Sequence, residues 1–213
     1  MNYEILFSQM LLASAKTLQI FFLTLIISLP LGLLVSLGRI SKYKVISIPT
    51  NLYILLMRGT PLMLQLMFVF YGLKPLLGIQ LPRFSSAIVA FSLNYAAYFA
   101  EIYRGGIQSI PKGQYEAAKV LGFTRIQTFF QIILPQVVKN ILPAMGNEFI
   151  TLVKDTSLAQ TIVVIEIMRV TEKFASSYVS AVPFAVAAVF YLIMNGILTK
   201  LFSTFEKRLN YYR

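Results

Sequence analysis

Two groups of polar residues interrupt otherwise apolar stretches of this chain, and their spacing sets each group on one side of a helix. Asn94, Tyr98 and Glu101 follow an i, i+4, i+7 pattern, and Glu148, Thr151 and Asp155 follow i, i+3, i+7. An ionisable side chain at membrane depth is costly, so it faces a cavity or a partner. If the two faces meet across a water-filled pocket, Glu101 and Asp155 receive an α-ammonium or a cationic side chain. Lys154, Asn94 or backbone amides then hold a carboxylate. The alternative is purely structural: Glu101 pairs with Arg104, and Asp155 with Lys154 or Arg58. Glu148 fits that second alternative better.

The elements that must carry these residues are membrane spans. Of the 213 residues 57% are hydrophobic and 13% charged, and roughly twenty apolar residues cross a bilayer. Thr17 to Leu37 has no charge and is longer than a signal-peptide core, so it is expected to be a retained first span. A second stretch runs from Ile46 to about Leu73, interrupted at Arg58-Gly59-Thr60-Pro61. Further spans are expected over Phe84 to Ile102, Val138 to Leu152 and Ala181 to Leu201. The fold class is therefore all-α integral membrane, one domain over residues 1–213, with five transmembrane helices and a cytoplasmic loop over about 105–137. Gly59 and Pro61 suit a hinge or kink, and simple packing strain explains the break equally well.

The net charge of +11 does not point to nucleic acid, because the basic residues are not gathered in a soluble domain. Segments 39–44, 104–139 and 200–213, the last including Lys207, Arg208 and Arg213, hold twelve of the nineteen Lys and Arg. Excess positive charge marks the cytoplasmic side, which predicts an N-out, C-in topology in the cell membrane. Cysteine and histidine are both absent, which removes disulfides, thiol nucleophiles, imidazole bases and the usual zinc sites. There is no GxxxxGK[ST] phosphate loop either. With one Asp and no His, a membrane-embedded enzyme such as a lipid transferase lacks its catalytic groups.

Within the long loop, Gln114 to Leu121 are good helix formers, with Pro111 before them as a start signal and Gly122 after them as a stop. Ala117 and Ala118 are small enough to let another surface approach the helix closely. Pro135 starts the return to the membrane. From spacing alone, an interfacial helix lying on the bilayer is an equal alternative to a docking helix.

Glu116, Ala117, Ala118, Gly122, Ile132, Leu134 and Pro135 match EAA, three residues, G, nine residues, I, one residue, LP. This resembles the cytoplasmic loop motif of the membrane subunits of bacterial ATP-binding cassette importers. The resemblance implies that Gln114, Tyr115, Glu116, Ala117, Ala118, Lys119, Leu121 and Gly122 sit in a groove of an ATPase subunit. ATP and Mg would be on that partner and no cofactor on this chain. It also implies a second permease, identical or homologous, two ATPase subunits and an extracytoplasmic substrate-binding protein, with membrane lipid around the spans and no nucleic acid. A passive channel would not need such a loop. Arg58-Gly59-Thr60-Pro61-Leu62, the run from Leu93 to Gly106 and Lys154-Asp155-Thr156-Ser157-Leu158 resemble the polar amino acid uptake subfamily. Glu101 and Asp155 then suggest a basic amino acid such as arginine, lysine or histidine.

Overall fold

The computed structural model describes residues 2–209, so Arg213, counted above in the basic tail, lies outside the described residues. Among the described residues there is helix and no strand. The first helix, α1 (Tyr3–Ile40), starts well before the expected span. Asn2 caps it by accepting hydrogen bonds from the N–H groups of Glu4 (3.0 Å) and Ile5 (3.3 Å). Leu6, Met10 and Ala13 bury this extension against Ile167, Val170, Phe174 and Ala187. At 38 residues the helix is about 57 Å long, well beyond a hydrocarbon core of about 30 Å.

The expected second span is a broken helix. Helix α2 (Lys44–Gly59) and the following helical stretch, α3 (Leu62–Met67), a π-helical turn and α4 (Leu73–Leu77), meet at 108°. Helix α5 (Arg83–Gln108) is the centre of the molecule. It packs on α1, α2 and α3, and on α8 (Leu134–Asp155). After α5 come α6 (Lys112–Val120) and α7 (Arg125–Gln127), and a π-helical turn over Thr128–Ile133 runs into α8. A 3-10 turn (Thr156–Ile162), α9 (Ile167–Tyr178) and α10 (Val182–Leu209) complete the described chain.

Among the described residues, α1 and α10 are long and apolar enough to cross a membrane, and the bent α2–α4 stretch is a third if counted as one span. The other two expected spans, α5 and α8, carry more polar residues. Their position explains this for α5: Ala87, Phe91, Tyr95, Phe99 and Ala100 are all buried under other helices, so little of α5 has to suit lipid.

The α1–α5 contact depends on small side chains in α1. Thr17, Thr24, Ser28, Gly32 and Ser36 are buried along one stripe, the pattern by which membrane helices approach closely. A Cβ on Gly32 would lie 2.9 Å from Phe99 Cβ and 3.0 Å from the Ala96 carbonyl oxygen. Gly32→Val should therefore destabilise the purified protein by about 1–3 kcal/mol in thermal melts followed by circular dichroism. Gly196→Ala, where nothing lies within 4 Å, should leave the melt unchanged. Equal melts for both variants would count against this packing.

Candidate functional site

The break between α2 and α3 leaves carbonyls without helical partners, and side chains from neighbouring turns satisfy them. Gln65 Nε2 donates to the Met57 carbonyl (2.9 Å), the Thr60 carbonyl (3.1 Å) and Thr60 Oγ1 (2.8 Å). Buried Asn94 reaches across from α5 and donates from Nδ2 to the same Met57 carbonyl and to Gln65 Oε1, both at 2.9 Å. Tyr53 adds a hydroxyl donated to the Leu93 carbonyl. Thr60 and Pro61 are extended, and it is here that the chain turns. Gly59 ends α2 with open space around its α-carbon, so the bend does not require a glycine there.

The break delivers Arg58 to Glu101. The Glu101 carboxylate accepts from Arg104 Nε (3.0 Å) and Nη2 (2.7 Å) and from Arg39 Nε (3.4 Å), and Arg58 Nη1 lies 3.7 Å away. Three helices therefore converge on one carboxylate. Arg58 also lies over the Tyr98 ring, 5.1 Å from its centre. A cleft of about 530 Å³ opens beside this cluster, lined by Arg39, Asn51, Ile54, Leu55, Arg58, Gly59 and Glu101. Asp155 is not among its lining residues.

Asp155 ends α8 and accepts a hydrogen bond from the buried Tyr95 hydroxyl at 2.8 Å. Tyr95 stands one turn from Tyr98 on α5, with ring centres 6.1 Å apart. Lys154 is exposed and Glu148 half-buried on α8. The helix tightens to 3-10 geometry at Thr156, so the Asp155 side chain marks a change in backbone winding. Beyond it, fully buried Glu166 caps α9 by accepting from the N–H groups of Met168 and Arg169, both at 2.8 Å. Tyr191 from α10 donates to the same carboxylate at 3.1 Å.

Sequence reasoning missed Gln65, Tyr95, Arg39, Glu166 and Tyr191. Glu166 had a local signal, a polar residue between an apolar run and an amphipathic helix. Tyr95 sat inside a quoted phrase but off the face chosen for Asn94, Tyr98 and Glu101. The pairing of Arg39 with Glu101 has no signal in the sequence, being 62 residues apart.

The loop helix α6 runs one residue short of the expected stop, and its end is a Schellman turn. The Gly122 N–H donates to the Lys119 carbonyl (3.1 Å) and the Phe123 N–H to the Ala118 carbonyl (3.0 Å). Gly122 has φ +80°, which a side chain would strain. Thr124 and Gln127 then form a capping box that starts α7. Gln114, Tyr115, Glu116, Ala117, Lys119, Leu121 and Gly122 are exposed. Ala118 differs: at 1% exposure it is turned into the chain's own loop, so its small size serves internal packing rather than an approaching surface. The expected return at Pro135 lies in the first turn of α8, directly after the π-helical turn, where a proline needs no N–H partner. Val120 and Leu121 are 87% and 73% exposed at the end of α6, and Ile126 and Phe130 farther along the loop are exposed as well.

With this geometry in view, the family described as binding-protein-dependent transport system inner membrane component matches residues 9–211. The chain belongs to that family. It is thus a permease-type inner membrane protein of transport complexes that contain further subunits. It is 41% identical over 196 residues to the arginine transport system permease protein ArtQ of Bacillus subtilis (strain 168), covering 92% of this chain and 90% of ArtQ. The histidine/lysine/arginine/ornithine transport system permease protein HisM of Escherichia coli (strain K12) is 35% identical, with 91% of this chain and 86% of HisM covered. A crystal structure of an amino acid ABC transporter with histidines superposes with a TM-score of 0.86 at 35% identity, covering 97% of this chain and 94% of that one. The inward-facing MetNI methionine ABC transporter, at 18% identity and a TM-score of 0.72 over 96% of this permease and 95% of that chain, shares the fold.

Replacing Asn94 by Ala removes a donor from the buried Met57 carbonyl and should cost roughly 1–3 kcal/mol in permease melts. Because Gln65 shares that carbonyl, Asn94→Ala and Gln65→Ala together should depart clearly from the sum of the single effects. Strict additivity would show that the two side chains do not act on one break.

Proposed function

We propose that this chain is the membrane-spanning permease subunit of an ATP-driven importer of a polar, basic L-amino acid. The observation that carries the coupling half is the uncovered apolar face of the loop. Val120 and Leu121 project from a helix end fixed by its own hydrogen bonds, in a segment rich in Lys and Arg. An apolar face beside basic residues suits a protein partner on the cytoplasmic side. Two ATPase subunits, holding ATP and Mg, dock on two such loops, one from each permease of a homodimer or heterodimer. The chain crosses the membrane five times, through α1, the broken α2–α4, α5, α8 and α10, with its N-terminus outside and its C-terminus cytoplasmic. An extracytoplasmic binding protein delivers the amino acid.

Within the spans the geometry favours one carboxylate over the other as a substrate contact. Glu101 already faces three arginines, and Asn94 is engaged at the helix break. Asp155 faces one neutral hydroxyl donor, with Glu148 two helical turns before it on the same α8 face. Neither carboxylate has an ion-pair contact among the described residues, so both can receive an ammonium or guanidinium, with Tyr98 and Lys154 close in sequence to the same faces. The printed functions of ArtQ and HisM, arginine and histidine/lysine/arginine/ornithine transport, support a cationic substrate. TcyB of Bacillus subtilis (strain 168), an L-cystine permease 38% identical over 92% of this chain and 84% of its own length, keeps the wider amino acid class in the comparison. The Thr60–Pro61 bend gives α2 and α3 a place to change their angle during transport.

The test is ATP-dependent uptake in proteoliposomes holding the permease, its ATPase and the binding protein. Arginine, lysine or histidine should accumulate above glutamine and glutamate. Asp155→Asn should raise the concentration for half-maximal uptake about tenfold, the loss of one charge contact of about 1.4 kcal/mol. Preferential glutamate uptake, or unchanged kinetics in Asp155→Asn and Glu148→Gln, would overturn the cationic site. Leu121→Asp should abolish co-purification with the ATPase while leaving the permease melt intact. Retention of the ATPase would remove this face from the interface.

A further inference from the structure

Asp155 sits where an anion is poorly placed on its own helix. It is the last residue of α8, and the carbonyl end of a helix repels negative charge. Its hydrogen bond comes from a different helix: the Tyr95 hydroxyl of α5 donates to Asp155 Oδ2 at 2.8 Å. Among the described residues, Oδ1 accepts no hydrogen bond. Tyr95 is 2% exposed, and its ring is set in the main core with Phe91, Phe99 and Leu152. The ring centres of Tyr95 and Phe99 lie 6.0 Å apart, and Phe99 meets Phe149 of α8 edge-on at 5.9 Å. A tyrosine side chain has few torsions to fix, and this packing fixes them. The hydroxyl therefore stands at a set point between α5 and α8.

The carboxylate it reaches is the looser member of the pair. Asp155 is half-buried, and the backbone beyond it changes to 3-10 winding at Thr156. An unheld carboxylate has to be ordered by the cation that binds it, and that ordering is lost from the affinity. The ring contacts that join α5 to α8 need no hydroxyl, so the phenol is spare for packing and committed to Asp155. We propose that Tyr95 is a positioning residue of the transport site: its hydroxyl holds Asp155 Oδ2 and leaves Oδ1 for the ammonium or guanidinium of the substrate. The proposal rests on the reading that Asp155 receives the substrate cation. Tyr95 acts through that carboxylate and does not itself touch the substrate.

The test is binding of radiolabelled arginine to the detergent-purified permease–ATPase complex, with no binding protein added, alongside uptake in proteoliposomes. Tyr95→Phe keeps the ring and should weaken arginine binding roughly fivefold, the effect of one ordinary hydrogen bond. The maximal uptake rate at saturating arginine should stay nearly unchanged. Added to Asp155→Asn, the same substitution should weaken binding no further, because its effect passes through Asp155. Tyr103→Phe is the control: Tyr103 lies two turns further along α5, donates to the Leu29 carbonyl at 3.5 Å, and should leave arginine binding intact. Equal weakening by Tyr95→Phe with and without Asp155→Asn would overturn the positioning role. A lowered maximal rate with unchanged binding would overturn it in favour of a strut between α5 and α8. If Asp155→Asn weakens binding and Tyr95→Phe does not, the role of Tyr95 falls while the Asp155 site stands. If neither weakens it, the Asp155 site falls and the role of Tyr95 with it. Where Asp155→Asn binds too weakly to measure, the uptake assay on Tyr95→Phe decides: a raised half-saturation at constant maximal rate supports the role, and the reverse overturns it.

Discussion

A helix interrupted at Thr60–Pro61 leaves carbonyls without helical partners, and this chain meets that constraint with two amide side chains. Gln65 folds back from the turn after the break, and Asn94 reaches over from α5, so that both donate to Met57. The 108° turn between α2 and α3 is stable on those terms. Much of the remaining arrangement follows from it. Arg58, the last charged residue before the break, is presented to Glu101, and α3 is free to pack beside α5 and the 3-10 turn after Asp155.

Helix α5 gathers these interactions because it is enclosed. Its core residues Phe91, Tyr95 and Phe99 pack against α1 and α8, and its polar residues each serve a different neighbour. Asn94 serves the break, Tyr95 serves Asp155 and Glu101 serves three arginines. Buried polar groups of this kind are tolerated where each finds a partner, and they fix which helices lie side by side. Glu166 repeats the principle beyond the 3-10 turn, tying the start of α9 to Tyr191 of α10.

The loop between α5 and α8 follows a different logic, since water can satisfy its backbone. Its shape comes from local signals: a proline start, a glycine Schellman stop, and a Thr124–Gln127 capping box. Those devices hold α6 in place without a large core of its own. They leave Val120 and Leu121 uncovered.

Local chemistry made the loop legible in the sequence. The end of α6 and the positive φ at Gly122 follow from residues within a few positions of one another, because caps and turns are short-range interactions, and the family resemblance from a motif carried along the same loop. The apolar stretches likewise announced α1, α5, α8 and α10, though α1 began earlier because its first turns bury against α9 and α10. The tertiary structure alone decided which polar residues meet. Periodicity placed Asn94, Tyr98 and Glu101 on one face, yet the fold gave them separate duties. It turned Ala118 inward and brought Arg39 to Glu101 across 62 residues. Helical spacing fixes the direction in which a side chain leaves its own helix. The neighbour it finds there is set by how distant helices cross, and that depends on packing summed over the whole chain.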